Sequence, residues 1–549
     1  MDKRSIIAIV LIFLVIIGGQ LLMPRQPEPS PADSTKTKTK APTTTPTSVV
    51  PSPSPSSAQV QAPTPTRAQA LSAQAQAQPP ARAETVSVSQ PDRVARFSTQ
   101  GAAPLSITLP QYQDLKKKSG SLAIAPNNGP LLRYRIVSGK DTTALDNLSF
   151  TATTTDRTAD FASPQGVRVH YEVTPDHFIT HATITAPAGG KLLIDLPEDL
   201  RSGEADTVED LRHLAYSYRP LSGGIESFNL QRLDTTKTEV QPGPIDWAAA
   251  RSKYFAFAVI AKDSTHAFTD FTVRGVHRTP LPVGTATISL PMTNGSASFD
   301  LYTGPQSWTS LRGAGHDLIN INPYAGWAWL RPVVQPFATI VMRLLLGLKG
   351  AVNLSYGWVL VIFGILIRLV LWPLNQSAMR TSIKMQKLQP ELAALQKRYA
   401  KDPEAQRAAM MKLYQQHDMS PFSPLMGCLP MLLPMPILFA LYFVFQNTIE
   451  FRGVPFLWMP DISLRDPFYI TPILMGVSMF VLSWIGMRSA PPNPQAKVMG
   501  YMMPAMFMVM FMNLASGLNL YYAVQNLVAI PQQWFLTKER AKAAVVQNK

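Results

Sequence analysis

The chain is short of the residue types on which most enzyme chemistry depends. Its 549 residues include a single cysteine, Cys428, set in an apolar run. No intrachain disulfide framework can form, and cysteine usage says nothing about redox compartment. There is no GxxxxGK[ST] loop, no GxSxG elbow and no HExxH pair, which removes the motif-borne nucleotide, serine-hydrolase and zinc-protease chemistries. His170, His177, His181, His213, His266 and His277 show no metal-ligand spacing, so each is read as satisfied or solvated. The long apolar stretches beyond residue 350 lack aspartate, glutamate and lysine; Arg368 is their one charged residue. A proton relay or ion-coupled carrier needs carboxylates or ion sites inside the membrane, and none is visible.

What is present is unevenly distributed. The opening "MDKRSIIAIVLIFLVIIGGQLLMPRQ" sets Lys3 and Arg4 before a long apolar run. Residues 1–23 read as an N-terminal transmembrane anchor held with its N-terminus in the cytoplasm; a cleaved signal peptide, the alternative, has a shorter apolar core. Residues 24–83, rich in Pro, Thr, Ala and Gln, are too poor in large apolar groups to form a core and read as a disordered linker. From 84 to 325 the pattern becomes short alternating runs such as "GVRVHYEV", "FITHATITA", "KYFAFAVIAK", "TATISLPM" and "ASFDLYTG", divided by Pro, Gly, Asp and Asn. That pattern predicts a β-sandwich.

Residues 326–350 carry an apolar stripe (Phe337, Ile340, Val341, Leu344, Leu345, Leu348) interrupted by Arg331, Arg343 and Lys349. This predicts an amphipathic helix lying on the membrane surface; the alternative is a helix packed on the β-domain. A second transmembrane helix is expected at 351–375 and four more within 425–536, each near the roughly 20 residues a hydrocarbon core requires. Between them, 376–424 reads as a cytoplasmic helical hairpin, with Asp402 as N-cap and Pro403 at the first position of its second helix. A short basic tail, 537–549, follows. The cation-rich segments all fall on one side if both termini are cytoplasmic. The expected fold is therefore a polytopic α-helical membrane protein with six transmembrane helices and a large β-sandwich domain across the membrane.

Arg368 lies about 6 Å past the centre of its expected span, at 1.5 Å per residue. A central arginine costs about 3 kcal/mol on insertion scales, although its head can snorkel towards the cytoplasm. The last span offers Asn519, Tyr522 and Asn526 at i, i+3 and i+7, one polar stripe on a helix, with Gln525 beside it. Gly364, one turn before Arg368, leaves room on that face. These residues predict a hydrated, cytoplasm-open cavity between spans. Methionines crowd the later spans, and flexible thioethers suit a surface that accepts many apolar shapes.

Arg368, "SPLMGCLPMLLPMPILFALY", "DPFYITPILMGVSMF" and "SGLNLYYAVQNLVAIPQQ", together with the large domain after the first span, resemble the YidC/Oxa/Alb family of membrane-protein insertases in its Gram-negative YidC form. The resemblance implies a periplasmic, supersandwich-like β-domain, five helices forming the insertase core, and a location in the bacterial inner membrane. It implies no cofactor and no enzyme activity. The implied partners are nascent membrane proteins, the Sec translocon, membrane lipids and, through the hairpin and tail, the ribosome; the tail here is shorter than the long basic tails of some relatives. Arg368 and Tyr522 match groove residues that receive the polar tail of the incoming chain. Two other classes stay open on the residues alone. A small-molecule transporter or channel would need a through-pore or paired charges in the membrane. An envelope enzyme would need its catalytic groups dispersed over the β-domain.

Overall fold

The computed structural model describes residues 83–187, 190–276, 283–322 and 331–373, positions 376 and 388, most of 391–416, and residues 435–488 and 494–547. The N-terminal anchor, the linker, His277, Cys428 and most of the first half of the hairpin lie outside the described residues.

The alternating runs form strands. Arg168–Val173 and Ile179–Thr185 bury every second side chain, as expected of strands with one face on a core. Phe255–Ala261 is buried on both faces and lies inside the sheet, paired with Thr238–Arg251 on one side and Ser296–Pro305 on the other. These strands belong to a 14-stranded sheet, and a second, four-stranded sheet spans Thr85–Ser89, Val94–Ser98, Pro104–Gln113 and Ser121–Ile124. All pairings are antiparallel, with Ala182 opposite Tyr171 and Phe299 at the register of three neighbouring strands. The small sheet contributes Val88, Phe97, Ile107 and Leu109 to the same buried cluster as Tyr171, Ile194 and Phe271 of the large one. Apolar faces of two sheets thus bury each other, the ordinary solution for an all-β layer. The histidines pair with local carboxylates or backbone: His170 with Asp160 at 2.6 Å, His181 with Asp300 at 2.6 Å, and His213 with the Glu209 carbonyl at 2.9 Å.

Seven helices of the C-terminal region carry the functional argument. They are α1 (Arg331–Val352), α2 (Tyr356–Val370), α3 (Pro403–Gln416), α4 (Met435–Asn447), α5 (Ile470–Met487), α6 (Pro494–Phe511) and α7 (Ser516–Gln547). Among the described residues, α5 alone is long and apolar enough to cross a membrane by itself. Helices α1 and α2 pass that test only together, and they are bent by 116° at the short break between them. The apolar parts of α4 and α6 are shorter. Helix α7 runs unbroken to Gln547, so the expected basic tail continues the last helix for most of its length.

Val334, Ala338, Val341, Met342 and Leu345 of α1 pack into one core with Val359, Leu360 and Phe363 of α2, Ala440 and Val444 of α4, and Leu518 and Tyr521 of α7. Its other side leaves Ile340 and Leu344 exposed. Near its start, the Arg331 Nη1 donates to the Ile225 carbonyl at 2.9 Å and Gln335 to Asn320. Helix α1 therefore touches the β-domain at its beginning and the helical core along its length. Helix α3 is capped by Asp402, whose Oδ1 accepts from the Glu404 and Ala405 amides at 3.1 and 3.0 Å. Its Leu413 and Tyr414 bury against Leu388 and Leu392, a seam consistent with a helix pair.

Candidate functional site

The site is built where α2 meets α7. Gly364 lets the two helices approach closely: a Cβ there would lie 3.3 Å from Val524 Cγ1 and 3.5 Å from Tyr521. The missing side chain is thus filled by the neighbouring helix, rather than opening a cavity on that face. Immediately before it, Phe363 packs on Tyr521 with ring centroids 5.7 Å apart. One turn after it comes Arg368, half-buried in the last turn of α2. A cation at a helix C-terminus faces the negative end of the backbone dipole, which offsets part of its desolvation. Its Nε has no hydrogen-bond partner, and it makes no ion pair among the described residues.

The residues expected to line one polar stripe divide between two faces of α7. Asn519 is fully buried and donates to the Phe511 carbonyl at 3.1 Å, closing the turn between α6 and α7. Asn526 donates to Ser478 Oγ at 3.2 Å and to the Met475 carbonyl at 3.4 Å, tying α7 to α5. Tyr521 and Gln525 face α2, with Gln525 Nε2 donating to the Tyr521 hydroxyl at 2.5 Å. At about 100° per residue the two faces lie roughly a third of a turn apart. Tyr522 sits between them, edge-on to Phe511 and Tyr521, and its buried hydroxyl has no partner. The structure thus brings Arg368, Gly364 and Gln525 together, and directs Asn519 and Asn526 to helix–helix contacts.

The stripe argument missed two residues of α7: Tyr521, which faces α2, and Gln532, which is buried. Tyr521 lies one turn before Gln525. Gln532 is 3% exposed and neither side-chain polar atom has a partner. The spacing 521, 525, 532 is itself a helical face, and would have been found by phasing α7 on its tyrosine pair.

The opposite end of the helices is chemically saturated. Arg452, after α4, reaches into the β-domain. Its Nε donates to Glu204 Oε2 at 2.8 Å and Oε1 at 2.9 Å, and its Nη2 to the Gln113 carbonyl at 2.9 Å. Burial pushes the Glu204 carboxyl up to about 7, against the pull of Arg452. Asp466, before α5, is fully buried. It accepts from the Trp458 indole and from the amides of Phe468 and Thr471 at 2.9 and 2.7 Å. Burial works to raise its pKa, but those donors win and hold it below the usual carboxylate range.

A β-rich domain followed by apolar helices is the order of an inner-membrane protein with a periplasmic domain, and comparison with known proteins agrees. Residues 85–340 match the model of the YidC periplasmic domain, and residues 347–543 that of the 60Kd inner membrane protein family. The chain is 28% identical to the membrane protein insertase YidC of Chlorobaculum tepidum over 84% of each chain. It is 30% identical to that of Chlorobium phaeovibrioides over 75% of this chain and 70% of that one. A crystal structure of an active YidC insertase with its first transmembrane domain resolved aligns over 82% of this chain and 92% of that one, at 19% identity and a TM-score of 0.33. The chain belongs to the YidC family of membrane protein insertases.

Proposed function

We propose that this protein inserts nascent membrane proteins by receiving their polar segments at Arg368, on the α2-facing side of α7, without covalent chemistry. The observation that carries this reading is a half-buried arginine with an unpartnered Nε, on a helix packed against α7, which also holds the orphaned Tyr522 hydroxyl and the buried, unpartnered Gln532. Buried polar groups are almost always hydrogen-bonded, so these groups call for water or for an incoming polar chain. A carboxylate on the client would pair with the guanidinium in two-pronged geometry. Elsewhere on the helical region, Ile473, Val477 and Phe480 of α5 and Met502 and Met506 of α6 are exposed, an apolar surface for the client's own helix. A wet site part-way into the bilayer shortens the apolar distance a polar tail must cross.

The same reading has six spans with both termini cytoplasmic, the first within residues 1–23 and five forming the insertase core. The hairpin 376–424 is the first contact for the client and, with the tail, for the ribosome. The Sec translocon acts beside it for larger clients, and lipids surround the core. Neither a transporter nor an envelope enzyme is favoured by the family the chain belongs to. A photo-crosslinking amino acid at Gln525 should capture a ribosome-bound client with an acidic tail, whereas one at Asn519 should not. Equal capture at both positions would remove the α2-facing side of α7 as the receiving surface.

A further inference from the structure

We infer that the pocket between the short helix Trp308–Ala314 and α1 binds the phosphate headgroup of an anionic phospholipid from the periplasmic leaflet. The pocket is an open groove of about 500 Å³, and its polar lining is Arg312, Asn320, Arg331, Gln335 and Arg343, with Trp308 beside them. No carboxylate lines it, and none of the three arginines makes an ion pair among the described residues. The Arg312 guanidinium stands over the Trp308 ring at 5.1 Å and that of Arg343 at 6.0 Å, so one indole gathers two cations. Arg331 spends Nη1 on the Ile225 carbonyl, and its buried Nε has no partner. Two guanidinium groups, those of Arg312 and Arg343, gathered at one indole without a counterion repel one another, and arginine matches phosphate oxygens with a fork of donors.

The surroundings favour a lipid over a free anion. Ile340 and Leu344, 54% and 47% exposed, flank Arg343 on the same helix. A headgroup held in the pocket therefore has an apolar strip beside it for its acyl chains, which inorganic phosphate would leave unused. The missing carboxylates also matter, because the ammonium of a zwitterionic headgroup would find no partner there. The inference rests on the reading that α2 crosses the bilayer. The 116° bend then lays α1 near the membrane surface, at the depth where headgroup phosphates sit.

The test uses the full-length protein, purified in detergent and offered phosphatidylglycerol or phosphatidylcholine, with retained lipid counted by native mass spectrometry. Wild type should retain phosphatidylglycerol preferentially. The double variant Arg312→Gln/Arg343→Gln, changed at two exposed positions, should lose about tenfold of that retention. Arg274→Gln, an exposed strand position away from the pocket, should lose none. Equal retention by the double variant and wild type would overturn the site, and displacement of the lipid by millimolar inorganic phosphate would overturn its assignment to a lipid. A spin label at Gly347→Cys in a Cys428→Ser background reads the depth of α1 independently. A label at the bilayer centre would sink the placement of α1 instead, and with it the headgroup site; a label at the surface leaves the lipid counts to decide.

Discussion

Arg452 and Arg368 sit at opposite ends of the helical region and are treated in opposite ways. Arg452 is buried against the β-domain and meets Glu204 and a backbone carbonyl at hydrogen-bond distance. Nearby, Asp466 is surrounded by donors. Arg368 is half-buried in the last turn of α2 and has no carboxylate partner among the described residues. A buried charge that is paired holds two elements in one arrangement, because removing either partner strands the other. An arginine without a counter-charge confers no such rigidity and costs insertion energy. The contrast divides the helical region into an end held to the β-domain by a paired charge and an end whose arginine has no counter-charge among the described residues.

The largest effect should come from breaking the saturated end. Arg452→Ala leaves Glu204 buried without its cation, and the full-length protein should lose roughly 3–5 kcal/mol in denaturant titration. The sign of the pH dependence follows from the carboxyl being raised from 4.5 to about 7 on folding. Between those values the folded state binds more protons than the unfolded one, so this group's contribution to stability falls as pH rises. In Arg452→Ala the loss should be greater at about pH 8 than at about pH 6, where a proton neutralises the stranded carboxylate. Equal losses would take the ionisation of Glu204 out of the account.

Next comes the close contact that positions Arg368. Gly364→Val places methyl groups against Val524 and Tyr521 and should cost about 1–3 kcal/mol by overpacking. Gly364→Ala, whose Cβ needs only a small shift of Val524, should cost much less. If both variants were as stable as wild type, Gly364 would border open space after all.

Arg368→Ala should lower insertion of a client with an acidic translocated tail by about tenfold, equivalent to about 1.4 kcal/mol, and Arg368→Lys should restore most of it. A client lacking acidic residues should be unaffected. Normal insertion by both variants would leave the unpaired arginine without the role proposed for it.

The smallest effect tests the division of the polar stripe. Asn526→Leu removes the hydrogen bonds to Ser478 and Met475 and should cost about 0.6 kcal/mol of stability, a typical value for such bonds between membrane helices. Insertion should be unchanged. A variant of full stability but poor insertion would return Asn526 to the receiving site.

The elements were largely legible because each rests on a local rule. "GVRVHYEV" alternates with period 2, and Arg168–Val173 is a strand; Asp402-Pro403 is a helix start, and α3 begins there. The charge on Arg368 within an apolar run was equally visible. The direction of side chains on α7 was not. Asn519, Tyr522 and Asn526 form a helical stripe, but a stripe does not name its neighbour, and α5 and α6 compete with α2 for that helix. Gly364 shows the same limit: a missing side chain signals either space or a close approach, and only the position of Val524 decides between them.

The Arg452–Glu204 pair lay beyond any sequence argument, since its partners are separated by about half of the β-domain and several helices. Composition and periodicity sufficed for the order of β-rich and helical regions, the place of an arginine within an apolar run and the absence of an acid in the apolar runs around it. Those properties depend on short-range pattern, on which hydrophobicity acts residue by residue. The tertiary structure decided which face of α7 meets α2, which asparagines are spent on helix contacts, and which two arginines gather at Trp308 beside α1. Those depend on the rotation and approach of whole helices, set by packing against neighbours far away in the chain.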